Sequence, residues 1–236
     1  TQHLLEAAQA ISIQRFVFVS STSVYFDFQD QFNISEDAPV ARPFVNAYAK
    51  SKYLAEREVL KCKDAFETVI IRPRGLIGVG DPAIVPRILK VASRGWFPLI
   101  RNGEATIDIT YVKNVAEALI LAMSIPAAAG EIFNISNGEP VKVRALLERL
   151  FDLSGLECSL IKVPLPVMMA SASAMELAAS VLGNGEPIYT KYSAGLIATS
   201  QTLNIDKAKE LLGYKPDYSL DFAIREYVDN MEIDNA

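Results

Sequence analysis

Apolar positions along this chain fall into two patterns, short unbroken runs and longer stretches with helical spacing. Phe16-Val17-Phe18-Val19, introduced by Arg15 and closed by Ser20 and Ser21, is an unbroken run. Such a run predicts a strand buried on both faces, the kind found in parallel sheets. Val69-Ile70-Ile71, stopped by Arg72-Pro73, and Ile132-Phe133-Asn134-Ile135, closed by Asn137-Gly138, predict two more. Ile107 to Val112 alternates like a further strand. Between these runs, helical periodicity predicts helices over Thr1 to Ala10, Ala47 to Lys61, Ile84 to Ser93, Val115 to Met123 and Val141 to Leu153. Others follow over Pro166 to Leu182, Ser193 to Thr199, Asp206 to Leu212 and Leu220 to Met231. Asn46 is the expected N-cap of the second helix, and Gly213 with Pro216 ends the eighth. Phe26 to Val45, polar and carrying Pro39 and Pro43, reads as a loop.

Strands alternating with helices across 236 residues indicate an α/β fold built on a parallel sheet. The net charge of −5 argues against nucleic acid as a partner. Cys62 and Cys158 lack paired spacing, and His3 is the one histidine. A disulfide framework, a zinc site and Ser-His-Asp hydrolysis therefore all lack parts. Leu165 to Leu182, interrupted by Glu176, is too polar for a membrane span, so a cytoplasmic protein is expected.

The candidate chemistry lies in two short stretches. Ser20-Ser21-Thr22-Ser23-Val24-Tyr25 closes the first strand, and Tyr48-Ala49-Lys50-Ser51-Lys52 opens the second helix. Tyr48 and Lys52, four apart, share a helix face. A free phenol, with a pKa of about 10, is a poor base at neutral pH, and a nearby ammonium stabilises its anion. Ser21, at a strand's carboxyl end, is placed to hold a substrate oxygen, since parallel-sheet proteins bind ligands there. A hydroxyl, a phenol and an ammonium together suit proton transfer at a carbinol or carbonyl.

The order of these stretches resembles the extended short-chain dehydrogenase/reductases, the NAD-dependent epimerase/dehydratase family, and within it the 3β-hydroxysteroid dehydrogenase-like branch. Phe16 to Tyr25 matches the family's serine-ended strand, and Tyr48 to Lys52 its catalytic helix. Ile71-Arg72-Pro73 through Gly80-Asp81, Asp108 to Ala116, Gly130 to Ile135 and Leu211-Leu212-Gly213-Tyr214-Lys215-Pro216 match further segments in family order, and Pro187-Ile188-Tyr189-Thr190 points to the branch. The resemblance implies a Rossmann-like sheet, its dinucleotide-binding part over residues 1–80 and 105–140. A smaller, mostly helical substrate part then covers 81–104 and 141–236. It also implies NAD or NADP as cofactor, with Ser21, Tyr48 and Lys52 catalytic. Tyr48, Lys52, Pro73 and Leu76 would meet the cofactor, and Ser21, Thr22 and Ser23 the substrate. Homodimerisation through the Tyr48–Lys52 helix, with Ala55, Val59 and Cys62 at the interface, is a further expectation.

Four departures refine this picture. The family's G-x-x-G-x-x-G loop is absent from the sequence and would precede Thr1. The sequence is therefore expected to be a fragment, inactive alone and a weak dinucleotide binder; were it complete, Phe16 to Val19 would be left as an apolar sheet edge. Gly75 stands where nucleotide-sugar enzymes usually carry Asn, Ile77 replaces the usual Tyr, and Phe26 replaces a common Gly. The favoured substrate is thus a hydrophobic hydroxyl or keto compound, steroid-like or of the 3-oxoacyl type. Trp96, Phe97, Leu99, Met168 and Met169 are candidates for its pocket or, alternatively, ordinary core. The competing readings are a nucleotide-sugar epimerase or dehydratase and a non-catalytic dinucleotide sensor.

Overall fold

The structure, a computed structural model, describes residues 1–182 and 189–234. Pro187 and Ile188, part of the branch resemblance, lie outside the described residues. The chain runs α1 (Gln2–Ala10), β1 (Arg15–Val19), β2 (Gln31–Ile34), α2 (Ala47–Lys61), β3 (Glu67–Pro73), β4 (Leu76–Ile77) and α3 (Val85–Ala92). There follow β5 (Trp96–Ile100), β6 (Thr106–Ile107), β7 (Thr110–Tyr111), α4 (Val112–Ser124), β8 (Ile132–Ile135), β9 (Val141–Lys142) and α5 (Val143–Leu153). The remainder is β10 (Ser159–Val163), α6 (Leu165–Leu182), α7 (Lys191–Ala198), β11 (Gln201–Leu203), α8 (Asp206–Leu212) and α9 (Leu220–Asp234).

The three unbroken apolar runs become one parallel sheet in the order β1-β3-β8. Val19 pairs with Ile71 and Ile71 with Phe133, so the carboxyl ends of all three strands lie at one rim. Both faces are covered. Val69, Ile71, Phe133 and Ile135 meet α4 and α8 on one side, while Ile70 meets α1 and α2 through Leu5 and Val59 on the other. That two-sided burial is why these strands read as continuous apolar runs rather than alternating ones. β1 has β3 on one flank and no strand on the other among the described residues.

A second body of structure flanks the sheet rim. β2, β11, β6 and β9 form a four-stranded sheet, β5 pairs with β10, and β4 with β7. α3, α5 and α9 pack together through Leu89, Leu147, Leu150, Ile224 and Val228. Several short strands here correct the reading of the sequence. β2 lies inside the predicted loop, the 107–112 run splits into β6 and β7, and α4 begins at Val112 rather than Val115. Val141 and Lys142 are a strand rather than the first turn of α5. Each such strand has only two to five residues, and β2 and β11 are held by pairing with each other across the chain. Periodicity over so few positions carries no signal. Among the described residues no helix is long and apolar enough to cross a membrane.

Candidate active site

The rim of the parallel sheet gathers the chemistry-bearing residues. After Val19 the chain enters a short 3-10 turn, Thr22–Tyr25, capped by Ser21, whose Oγ accepts the Ser23 N–H at 3.2 Å. Thr22 is buried, and its hydroxyl donates to the Pro73 carbonyl at 3.4 Å, joining the ends of β1 and β3. Ser20 and Ser23 are buried too, and among the described residues their Oγ atoms have no hydrogen-bond partner. Orphaned hydroxyls at a sheet rim are available to a ligand, because leaving them unpaired costs about 1–3 kcal/mol each.

α2 begins where the sequence predicts, with the Asn46 side chain accepting the Ala49 N–H at 2.8 Å. Tyr48 is 50% exposed on the first turn. One turn on, Lys52 reaches back to the sheet, and its Nζ donates to the Val19 carbonyl at 2.9 Å. The same Nζ lies 5.7 Å from the Tyr48 ring centre and 5.4 Å from that of Phe18. Burial lowers the Lys52 pKa from its ordinary value. One of its three N–H groups is thus spent on β1, and two remain for a ligand.

A buried network missed in the sequence holds α2 at this rim. Arg72, on β3, donates through Nε and Nη2 to both Glu56 oxygens at 2.8 and 2.6 Å, and through Nη1 to the Tyr25 hydroxyl at 2.5 Å. Tyr25 in turn donates to Asn134 on β8 at 3.1 Å. Burial works against the Arg72 charge, yet the Glu56 and Tyr25 contacts outweigh it and raise its pKa above the ordinary value. Burial also raises the Tyr25 pKa, against the opposing pull of Arg72. Tyr48, Lys52 and Glu56 recur every four residues, so the carboxylate that locks the helix lies on the same stripe as the candidate pair. That third member was the available signal.

The segment after β3 brings Pro73, Arg74, Gly75 and Leu76 past the same rim. Pro73 is buried and pairs with Ile135, while Leu76 is partly exposed and pairs with Thr110. Gly75 has φ +50°, and a Cβ there would meet Ile109 Cδ1 at 3.0 Å. The backbone itself thus favours glycine at this position. Arg74 is 6% exposed, and among the described residues its guanidinium makes no hydrogen bond or ion pair. The Tyr192 phenol, on α7, lies within electrostatic reach of both Arg74 and Tyr48, and its ring stands edge-on to Phe26 at 5.5 Å.

The structure sorts the apolar pocket candidates between the two roles left open, and it corrects the interface expectation at Val59. Phe97 and Leu99 are core, packed with Phe151 and Leu147, Met168 is buried against Ala194 and Ala198, and Trp96 is 42% exposed. These residues do not come together as one pocket, since β5 turns alternate side chains into different packing clusters. Val59 is core beneath α1, and not interface, because Leu5 and Ile70 cover it.

Residues 1–166 match the family described as 3-beta hydroxysteroid dehydrogenase/isomerase. A mouse protein named sterol-4-alpha-carboxylate 3-dehydrogenase, decarboxylating, is 34% identical over 241 residues, covering 97% of this chain and 66% of its own length. A Shewanella oneidensis protein named 2-alkyl-3-oxoalkanoate reductase is 31% identical, covering 90% of this chain and 58% of its own. The chain thus spans 66% and 58% of the length of these two relatives. Among solved structures, UDP-glucuronic acid 4-epimerase from Bacillus cereus, in complex with NAD, superposes with a TM-score of 0.75 at 20% identity over 100% of this chain and 67% of that one. At that identity the likeness concerns the fold.

Proposed function

The chain belongs to the 3-beta hydroxysteroid dehydrogenase/isomerase family, and from that premise we propose NAD(P)-dependent oxidation or reduction of a hydroxyl or keto group on a hydrophobic, steroid-like or 3-oxoacyl-type substrate. The observation that carries this reading is the reach of Lys52 from the Tyr48 ring to the Val19 carbonyl, at the carboxyl rim of a parallel sheet. That rim is where open α/β sheets bind ligands.

The residues present fit the nicotinamide-riboside half of the cofactor. Lys52 has two N–H groups free for ribose hydroxyls, Ser20 and Ser23 offer unpaired hydroxyls, and Pro73 with the backbone near Leu76 borders the same rim. When bound, the cofactor supplies the hydride acceptor or donor. Tyr48 Oη would take the carbinol proton on oxidation and return it on reduction. The Lys52 ammonium would stabilise the phenolate while Ser21 Oγ holds the substrate oxygen, with Thr22 and Ser23 beside it. Arg72 and Glu56 have no part in the proton path; they fix α2 so that Tyr48 and Lys52 stay in register with β1. In this reading residues 1–80 and 105–140 serve the cofactor and 81–104 with 141–236 the substrate. The exposed stripe of α2 that carries Leu54 is the proposed homodimer contact.

The test is Tyr48→Phe in the full-length protein, with turnover followed by nicotinamide absorbance on hydroxy and keto substrates. A fall of about 10²–10⁴-fold in kcat is expected for loss of a general acid/base. Unchanged turnover would sink the proton-transfer role. Turnover of UDP-sugars in preference to apolar alcohols would transfer the reading to epimerase chemistry.

A further inference from the structure

Among the buried polar groups at the rim, one is out of balance. The Arg74 side chain follows β3 directly, is 6% exposed, and makes no hydrogen bond among the described residues; its Nε is wholly removed from solvent and without a partner. A buried cation without a partner is costly, and folded proteins retain few of them. Its backbone is tightly fixed: its N–H donates to the Ile135 carbonyl at 3.2 Å, and its carbonyl accepts from Thr110. The side chain is therefore held in place without being satisfied.

Buried Asp108 does not resolve this. Asp108 is 1% exposed, but its Oδ2 accepts the Leu203 N–H at 2.7 Å and its Oδ1 has no partner. Asp108 acts on Arg74 only through space, as does the Tyr192 phenol, and burial still lowers the Arg74 pKa from its ordinary value. Tyr192 lies within reach of Tyr48 as well, which brings Arg74 into the neighbourhood of the candidate proton donor. Thr22, one of the three candidate substrate hydroxyls, rests on the residue immediately before Arg74.

We propose that Arg74 is the receptor for a substrate carboxylate, and that the substrate is a free 3-hydroxy or 3-oxo carboxylic acid rather than a neutral alcohol or ketone. The inference rests on the oxidoreductase reading above and narrows its substrate class. A planar guanidinium matches a carboxylate through two parallel hydrogen bonds, and in a dry site such a pair discriminates strongly against neutral analogues. The two named relatives have substrates of this pattern in their names. A sterol-4-alpha-carboxylate acted on at C3 and a 2-alkyl-3-oxoalkanoate both carry the carboxylate on the carbon next to the reacting one. With Tyr48 serving the reacting oxygen, an anion receptor near the same site is what such a substrate requires.

The test uses the full-length protein with NAD(P), Arg74→Met and Arg74→Lys variants, and two probes, 3-hydroxydodecanoate and its methyl ester. Calorimetric titration of each probe and thermal melting supply readouts independent of turnover. The parent is expected to prefer the acid, and Arg74→Met to erase that preference with a loss of roughly 30-fold or more in acid affinity, as for truncating one partner of a buried charge pair. Arg74→Met should melt no lower than the parent in the absence of ligand, and the acid should raise the melting temperature of the parent but not of Arg74→Met. Arg74→Lys, which keeps the charge but not the fork, should weaken acid binding by about tenfold. A parent that binds the acid no better than the ester overturns the inference, as does a destabilised Arg74→Met that keeps the acid preference. Should Arg74→Met not fold, unchanged acid affinity in Arg74→Lys overturns it. The two readings separate cleanly. Ester and acid turned over equally leaves the oxidoreductase and removes the receptor, whereas Arg74-dependent acid binding without nicotinamide turnover does the reverse.

Discussion

Arg72 and Arg74 stand two residues apart at the carboxyl end of β3, are both buried, and are treated in opposite ways by the fold. Arg72 spends its donors on Glu56 and Tyr25, joining β3, α2 and the turn after β1. Arg74 spends its side-chain donors on nothing in the described chain. The difference teaches how to tell a framework charge from a binding charge. A framework charge meets its partners within the protein and raises stability only relative to losing one of them. A binding charge is held by backbone contacts, left unpaired, and weakens the free fold in exchange for affinity.

The largest expected effect comes from breaking the framework side. Glu56→Ala leaves Arg72 buried and uncompensated and should cost about 3–5 kcal/mol in a denaturant-unfolding experiment. Replacing both partners, Glu56→Leu with Arg72→Met, should recover much of that loss, since an apolar pair of similar volume avoids the stranded charge. A double variant as unstable as Glu56→Ala alone would show that Arg72 matters through Tyr25 rather than Glu56. The binding side should move the other way. Arg74→Met is expected to gain about 1–3 kcal/mol in the ligand-free protein, the penalty of an unsatisfied buried group. A loss of similar size would make Arg74 a second framework charge and abolish the contrast.

Smaller changes sharpen the comparison. Asn46→Ala removes the cap of α2 and should cost about 1 kcal/mol, with kcat falling less than in Tyr48→Phe if the Arg72 network alone keeps the helix in register. A kcat loss as large as that of Tyr48→Phe would move the positioning role from the network to the cap. Asp108, near Arg74 but not bonded to it, supplies the finest probe. Burial raises its pKa above the ordinary 3.8, against the opposing pulls of the Leu203 N–H, Ser136 and Arg74. The folded state therefore holds this proton more tightly than the unfolded chain does. Stability should fall as pH rises from 3.8 to the raised value and level off above it. Asp108→Asn should flatten that slope in unfolding curves taken across the acid range, and an unchanged slope would assign it to other carboxyls.

Much of the frame of this site was legible in the sequence. The unbroken apolar runs around Val17, Ile70 and Phe133 became the three strands of the parallel sheet, and Asn46 capped the helix it was expected to cap. Tyr48 and Lys52 meet as their spacing of four requires. The short strands β2 and β11 were not legible, because their residues are strands only by pairing with segments far away in the chain, β2 with β11 and β11 also with β6. Nor could Trp96, Phe97, Leu99 and Met168 be sorted into core and surface from apolar character alone, since either role uses the same residue types.

By itself, the sequence determined what depends on neighbours within a turn or a strand: the helix stripe of Tyr48 and Lys52, the caps, and the burial of the sheet on both faces. Tertiary structure alone decided which charges find partners. Glu56 and Arg72 lie on different elements, Arg74 and Tyr192 are far apart in the chain, and nothing local distinguishes the arginine that is satisfied from the one that is not. Periodicity is a property of the backbone's own repeat, whereas the pairing of buried ions depends on where distant segments cross, and the rim of the sheet is where they cross.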